Sequence, residues 1–197
     1  MEKGVSPIEM AQAYSTFANF GYYEEANAVK AIEDENGAII KKEEQIAKQK
    51  SDVFKPETAY NLTEIMEKVI TDGKGTGGNA NIKRPVAGKT GTAQEPLIED
   101  GSGNRAAWFV GYTPEFTVSV YTGFDKPSVE NTLTYSGGDV PAKLFGSIMT
   151  KQMADYLYQD FQKPATVNSI YEVNLLNGAE NLKTKFNEEY WLNGRFA

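Results

Sequence analysis

The chain has 197 residues, 40% of them apolar, and 20 Lys and Arg against 27 Asp and Glu give a formal charge of −7. That is the size of one domain, or of one domain with an appendage, and the apolar share suffices for a core; the acidic balance excludes a general nucleic-acid binder, which needs a basic face to displace counterions. With no cysteine and no histidine, disulfides, thiolate and imidazole metal sites, Cys nucleophiles and the Ser-His-Asp triad are all excluded, so any catalysis runs on lysine, carboxylates, hydroxyls or backbone amides.

The first helix announces itself in Ser6-Pro7-Ile8-Glu9: Ser6 as N-cap, Pro7 in the first turn and Glu9 reaching back. Val5 and Met10 are placed to form a hydrophobic staple. Met10, Ala13, Tyr14, Phe17 and Phe20 keep helical spacing and predict a core face, with Gly21 as the C-cap. Next, Ala28-Val29-Lys30-Ala31-Ile32 and Ala38-Ile39-Ile40-Lys41 flank Asp34-Glu35-Asn36-Gly37, a hairpin with Asn36 and Gly37 both suited to positive φ. The mixed-charge run 41–50 reads as a solvated connection.

A second helix follows Lys55-Pro56, with Ala59, Leu62, Ile65, Met66, Val69 and Ile70 on one face, and stops at Asp72-Gly73. The glycine-rich 73–78 stretch is a loop. Runs 86–94, 106–112 and 116–124 read as strands, the last two joined by Thr113-Pro114-Glu115. A third helix spans 141–158 with Asp139 as N-cap and Leu144, Phe145, Ile148, Met149, Gln152, Met153, Tyr156 and Leu157 on its face. Past Lys163-Pro164 the sequence is Asn-rich with scattered aromatics (Tyr171, Tyr190, Trp191, Phe196), so the expected organisation is a domain over 1–163 and a separate segment over 164–197. No stretch approaches the ~18 apolar residues of a membrane span, and no signal-peptide core follows Met1.

Two phosphate motifs fail on context. Gly73-Lys74-Gly75-Thr76-Gly77-Gly78 satisfies G-x-G-x-x-G but follows a helix and precedes a strand, the reverse of a dinucleotide site. Gly88-Lys89-Thr90 lacks the P-loop glycine, position 83 being Lys, and leads into a strand. The same residues fit the Lys-Thr-Gly triplet found within a strand in β-lactamases and penicillin-binding proteins, whose serine chemistry uses lysine and needs no imidazole. A strand-borne cation can hold an anionic group, neighbouring hydroxyls can bind a carboxylate, and Gly91 lets a substrate approach the backbone.

The surroundings carry the resemblance further. Gly4-Val5-Ser6-Pro7-Ile8-Glu9-Met10-Ala11-Gln12-Ala13-Tyr14 with Phe17-Ala18-Asn19-Phe20-Gly21 resembles the helix after the middle motif of bifunctional (class A) penicillin-binding proteins. Ala87-Gly88-Lys89-Thr90-Gly91-Thr92-Ala93-Gln94, followed by Ala107-Trp108-Phe109-Val110-Gly111-Tyr112-Thr113-Pro114, is similar to that family's transpeptidase strand pair. The resemblance runs over 4–158. It implies an α+β, β-lactamase/transpeptidase-like fold, an antiparallel sheet with packed helices, here as a partial domain. It also implies a peptidoglycan D,D-transpeptidase: a serine attacks the D-Ala-D-Ala bond of a stem peptide and passes the acyl group to an amine, and β-lactams trap that serine. Carried over, Lys89, Thr90 and Gly91 are the catalytic-strand residues. Lys89, Thr90, Thr92 and Gln94 are the substrate and β-lactam-binding residues, and the Thr92 N–H is half of an oxyanion hole, a donor worth about 3 kcal/mol of barrier. No cofactor, metal or nucleic-acid partner is implied.

One departure is large. The family places S-x-x-K and S-x-N before K-T-G, yet none of the nine serines has Lys three residues on. Ser102-Gly103-Asn104 spells S-x-N but falls after K-T-G, so Ser102 reads as a turn residue. The expectation is therefore the C-terminal part of a transpeptidase domain, as a truncated chain or a piece of a split domain. The nucleophile, glycosyltransferase domain and membrane anchor would lie upstream, on a parent protein at the extracytoplasmic face of the bacterial membrane. The alternative is a non-catalytic module binding cell-wall peptide or a partner protein. A hydrolase built on carboxylate pairs has little support, since Glu33-Asp34-Glu35 and Glu43-Glu44 read as solvated.

Overall fold

The computed structural model describes residues 4–42, 50–96, 98, 103–126 and 128–167. The chain forms two units, Met1–Gln162 and Lys163–Ala197. Of the second, only 163–167 are described, and there the Val167 N–H donates to Pro164 O at 3.0 Å. The aromatics of the 164–197 segment, Ser102 and most of the 41–50 run lie outside the described residues.

Helix α1 (Pro7–Ala18) starts as its sequence dictates. The Glu9 carboxylate accepts from the Ser6 N–H at 2.7 Å, and Ser6 Oγ accepts from the Glu9 N–H at 3.4 Å, so two amides with no helical partner are satisfied locally. Val5, placed for the staple, is largely exposed. The helix also ends earlier than Gly21. Asn19 is the C-cap, Phe20 takes φ +53°, and the Gly21 N–H (φ +87°) reaches Thr16 O at 2.7 Å, a Schellman-type closure with phenylalanine in the left-handed position. Gly21 O then accepts from the N–H groups of Val53 and Phe54, and a Cβ on Gly21 would collide with Phe54 O. Phe17 stacks on Phe54 at 5.3 Å, yet Thr16 is the buried residue of α1 and Phe20 is exposed.

The chain then pairs β1 (Tyr22–Glu24) with β4 (Lys50–Asp52), a two-stranded ribbon that hydropathy did not show. Between them lies the hairpin of β2 (Ala31–Glu33) and β3 (Ile39–Lys42). Its turn differs from expectation: Gly37 alone takes positive φ, at +80°. Asp34 Oδ1 accepts from the N–H groups of Asn36 and Ala38 at 2.8 and 2.9 Å, and the register slips between Ile32 and Glu33. The aspartate, by gathering those amides, selects a longer bulged loop over a two-residue turn.

Helix α2 (Pro56–Thr71) and a 3-10 turn, Gly78–Ala80, lead into an antiparallel sheet of β5 (Ala87–Gln94), β6 (Asn104–Tyr112) and β7 (Thr117–Gly123), in that spatial order. Thr113 makes the β6–β7 turn, its hydroxyl accepting from the N–H groups of Glu115 and Phe116. Helix α3 (Val140–Gln152) follows. Strand alternation sends Phe109 to one face, where its ring lies 4.9 Å from Phe145 of α3, and Tyr112 to the other, where its hydroxyl lies 2.8 Å from that of Thr63 in α2. Helices thus cover both faces, and Ile70, Val86, Phe109, Val120, Phe145 and Met149 form the core.

Both later helices bury the middle of the face read from sequence, Ala59 and Ile70 in α2 and Phe145, Met149 and Met153 at α3, but depart from it at the margins. In α2, Ile65 is 61% exposed while Thr63 is buried; in α3, Leu144 and Ile148 are exposed while Pro141, Ala142 and Gly146 are buried. Small residues let α3 sit close to its neighbours. A Cβ on Gly146 would meet Asn79 O at 3.0 Å. Helix α3 also stops at Gln152, short of 158. Arg84 takes the carbonyls beyond it, donating to Met153 O at 2.9 Å, Tyr156 O at 2.8 Å and Leu157 O.

Candidate active site

Strand β5 carries Lys89, Thr90, Gly91, Thr92 and Gln94. Its glycines weaken it as an isolated strand, but it pairs with β6 along its whole length, from Ala87↔Tyr112 to Gln94↔Asn104. Ala87 and Gly88 are buried, and the strand opens to solvent from Lys89 onward. It lies at the border of its sheet, so alternate N–H and C=O groups point away from β6.

Register divides the predicted residues between two faces. Thr90 and Thr92 stand opposite Phe109 and Ala107, on the α3 face, whereas Lys89 and Gly91 stand opposite Val110 and Trp108, on the other. Lys89 Nζ donates to the backbone carbonyl of the next residue, Thr90, at 3.1 Å, and the side chain is exposed. Gly91 leaves room above Trp108, whose ring packs on Tyr121 at 4.7 Å; a Cβ there would stand 3.2 Å from Trp108 Cβ. Gln94 is exposed at the end of β5, just past a register irregularity.

Two segments that the sequence reading left outside the site converge on the threonines. Thr76, from the glycine-rich loop, places its Oγ1 2.7 Å from Thr90 Oγ1. Gly137 donates its N–H to Thr92 Oγ1 at 3.1 Å. Asp139, expected as N-cap of α3, makes no side-chain cap; its Oδ2 accepts from the N–H and Oγ of Ser136 at 3.0 and 2.8 Å and closes the turn that presents Gly137. Those bonds hold the Asp139 carboxyl below its ordinary range. Gly137 lies flat on the strand pair, where a Cβ would collide with the carbonyls of Gly91 and Trp108. The hydroxyls of Thr76, Thr90 and Thr92 offer donors for an anionic acceptor, and the Lys89 ammonium lies at the Thr90 backbone carbonyl.

A cavity of about 110 Å³ opens elsewhere, lined by Phe17, Phe20, Tyr60, Thr63, Pro114 and Phe161 among others, and none of the β5 site residues touches it. Among the described residues no cluster of acidic side chains is arranged to hold a metal ion.

Comparison with known proteins decides the family. The description "Penicillin binding protein transpeptidase domain" matches residues 3–150. This chain belongs to that family. Penicillin-binding protein 1F of Bacillus subtilis is 34% identical to this transpeptidase segment over 170 residues, covering 86% of the chain and 22% of the relative. Penicillin-binding protein 1A of Clostridium botulinum is 33% identical over 168 residues, 85% of the chain and 18% of the relative. Among solved structures, penicillin-binding protein PonA1 from Mycobacterium tuberculosis superposes with TM-score 0.66 at 27% identity, over 82% of this chain and 42% of its own. The D,D-transpeptidase domain of a peptidoglycan glycosyltransferase from Eggerthella lenta does so with TM-score 0.57 at 26% identity, over 75% and 32%. The segment thus has a partial α+β transpeptidase fold and spans about a fifth of the length of the curated relatives it matches.

Proposed function

We propose that this chain supplies the K-T-G half of a peptidoglycan D,D-transpeptidase site, binding the carboxylate end of a stem peptide or β-lactam while a serine outside the chain takes the acyl group. The observation that carries the reading is the edge strand β5: Lys89, Thr90 and Thr92 sit on its solvent-open portion and bring an ammonium and two hydroxyls to it. A carboxylate lying along this edge meets the Thr90 and Thr92 hydroxyls, with the Lys89 ammonium adding a charge-assisted contact. The Thr92 N–H serves as one donor to the oxyanion formed when the serine attacks, a preorganised donor of the kind worth about 3 kcal/mol. Gln94, further along the strand, contacts the substrate beyond the scissile bond.

No serine of this chain is followed by Lys at the third position, so the nucleophile and its lysine partner belong to the upstream part of the domain, which also forms the opposite wall of the cleft. The parent enzyme works at the extracytoplasmic face of the bacterial membrane on peptidoglycan strands, and β-lactams are its inhibitors. The test is acylation by a fluorescent penicillin on a denaturing gel. The isolated chain gives no covalent band, while the complete protein does and Lys89→Ala in it slows acylation. A stable band on the isolated chain, or unchanged acylation in Lys89→Ala, overturns the reading.

A further inference from the structure

We infer that Thr76 is a positioning residue for carboxylate recognition, committing the hydroxyl proton of Thr90 to the bound ligand. This rests on the reading of β5 as the carboxylate-binding strand and extends it to the 73–78 loop, the glycine motif whose nucleotide reading failed. The two Oγ1 atoms lie 2.7 Å apart, and either can be the donor. A hydroxyl has one proton to give, and a carboxylate only accepts. Thr90 can therefore serve a carboxylate only when its own proton points outward, which requires that Thr76 be the donor within the pair. Once it is, the two hydroxyls form a directed chain in which each bond polarises the next.

The loop is built to hold Thr76 against Thr90. The Gly77 N–H donates to Val69 O at 2.8 Å and the Gly75 N–H to Asp72 O at 2.9 Å, while Asp72 Oδ1 accepts from the Lys74 N–H at 2.8 Å. A Cβ on Gly75 would collide with Val69 O, so the loop lies against the end of α2. From the other side Gly138 packs on Thr76 O, fixed by a 2.7 Å bond from Asn79 Nδ2 to Gly138 O. Thr76 is thus pinned from both sides, yet its side chain stays exposed and Thr90 only half-buried, within reach of a ligand. Ordering the hydroxyl before the ligand arrives removes part of the entropic cost of binding.

The experiment is an NMR titration of the ¹⁵N-labelled chain with N-acetyl-D-alanyl-D-alanine and with its C-terminal amide, in wild type, Thr76→Val and Thr76→Ser. The wild-type Gly91 and Thr92 amides shift with the acid. In Thr76→Val the preference for acid over amide falls about fivefold, the scale of one hydrogen bond, and Thr76→Ser restores it because the hydroxyl is back. Thr76→Ala repeats the comparison if the valine variant melts early. Thr76→Val with wild-type preference, or with equal loss of acid and amide binding, overturns the positioning role. A wild-type chain whose β5 amides do not respond to the acid overturns the reading of the strand itself and this inference with it, an outcome distinct from the first two.

Discussion

Gly137 lies on the backbone of Gly91 with no room for a side chain, and its N–H donates to Thr92 Oγ1 at 3.1 Å. The K-T-G strand is therefore shaped from above by the turn ahead of α3. Gly137→Ala must push that turn off the sheet. The expected loss is about 2 kcal/mol, read as a lower unfolding midpoint, with the largest amide shifts in the native state at Gly91 and Thr92.

The turn itself is held by Asp139 on Ser136, and those bonds lower the carboxyl below its ordinary value of 3.8. A group with a depressed native pKa contributes stability that is fully present above the unfolded value and lost as pH falls through the native one. The Ser136 and Gly137 amides are expected to stay fixed down to about 3.8 and to move only below it; an acid titration followed by NMR reads this directly.

Glu67 behaves oppositely. Burial first, then the nearby charges of Glu64 and Asp160, push its carboxyl to about 7 against the opposing pull of Lys68. With the native value raised, stability declines as pH climbs from the unfolded value of 4.5 to about 7 and stays low beyond it. Glu67→Gln is expected to stabilise the chain by about 1 kcal/mol above neutrality, a figure already reduced for solvent access to this half-buried group. The gain disappears below pH 4.5. Denaturant midpoints at the two extremes check both the sign and the window.

Arg84 gathers three carbonyls from the stretch after α3. Lysine presents no planar fork and cannot span them. Arg84→Lys is expected to cost about 2 kcal/mol, since hydrogen bonds from a charged group are among the stronger ones, and to speed amide hydrogen exchange at residues 153–158 well above that of the sheet.

Thr63 and Ile65 give a matched pair. Thr63→Val leaves the buried Tyr112 hydroxyl without its 2.8 Å partner and is expected to cost about 1–3 kcal/mol. Ile65→Gln, on the solvent side of α2, is expected to change stability by less than about 0.5 kcal/mol. Thermal melts of the two variants decide between the two orientations of the helix.

That pair also shows where sequence reading stopped. Helix ends were legible where the signal is local: Ser6 and Glu9 are three residues apart and complete each other's hydrogen bonds whatever surrounds them. The three strands of the main sheet were legible as short runs, the last two joined at Thr113-Pro114-Glu115. The buried faces of α2 and α3 were legible in part: Ala59, Ile70, Phe145 and Met149 are buried as read, but a hydropathy stripe ranks Ile65 above Thr63 and Leu144 above Ala142. The structure buries Thr63 because a tyrosine from the sheet supplies its partner, and Ala142 and Gly146 because close approach needs small side chains. The proposed site divides the same way. Lys89-Thr90-Gly91 are contiguous and stand out as a candidate in sequence, whereas Thr76 and Gly137 reach the strand from 14 and 45 residues away. Their glycine-rich surroundings were the available signal, and a phosphate-loop template could not interpret it.

The β1–β4 ribbon closes the base of an excursion: the chain departs after Glu24 and returns at Lys50, where Lys50 Nζ meets Glu24 Oε1 at 3.1 Å. Among the described residues, the hairpin strung between those points contributes no buried residue to the body of the molecule. The ribbon therefore acts as a clasp, and a nick at the exposed Asn36-Gly37 tip of the hairpin is expected to leave the strand that bears Lys89 undisturbed.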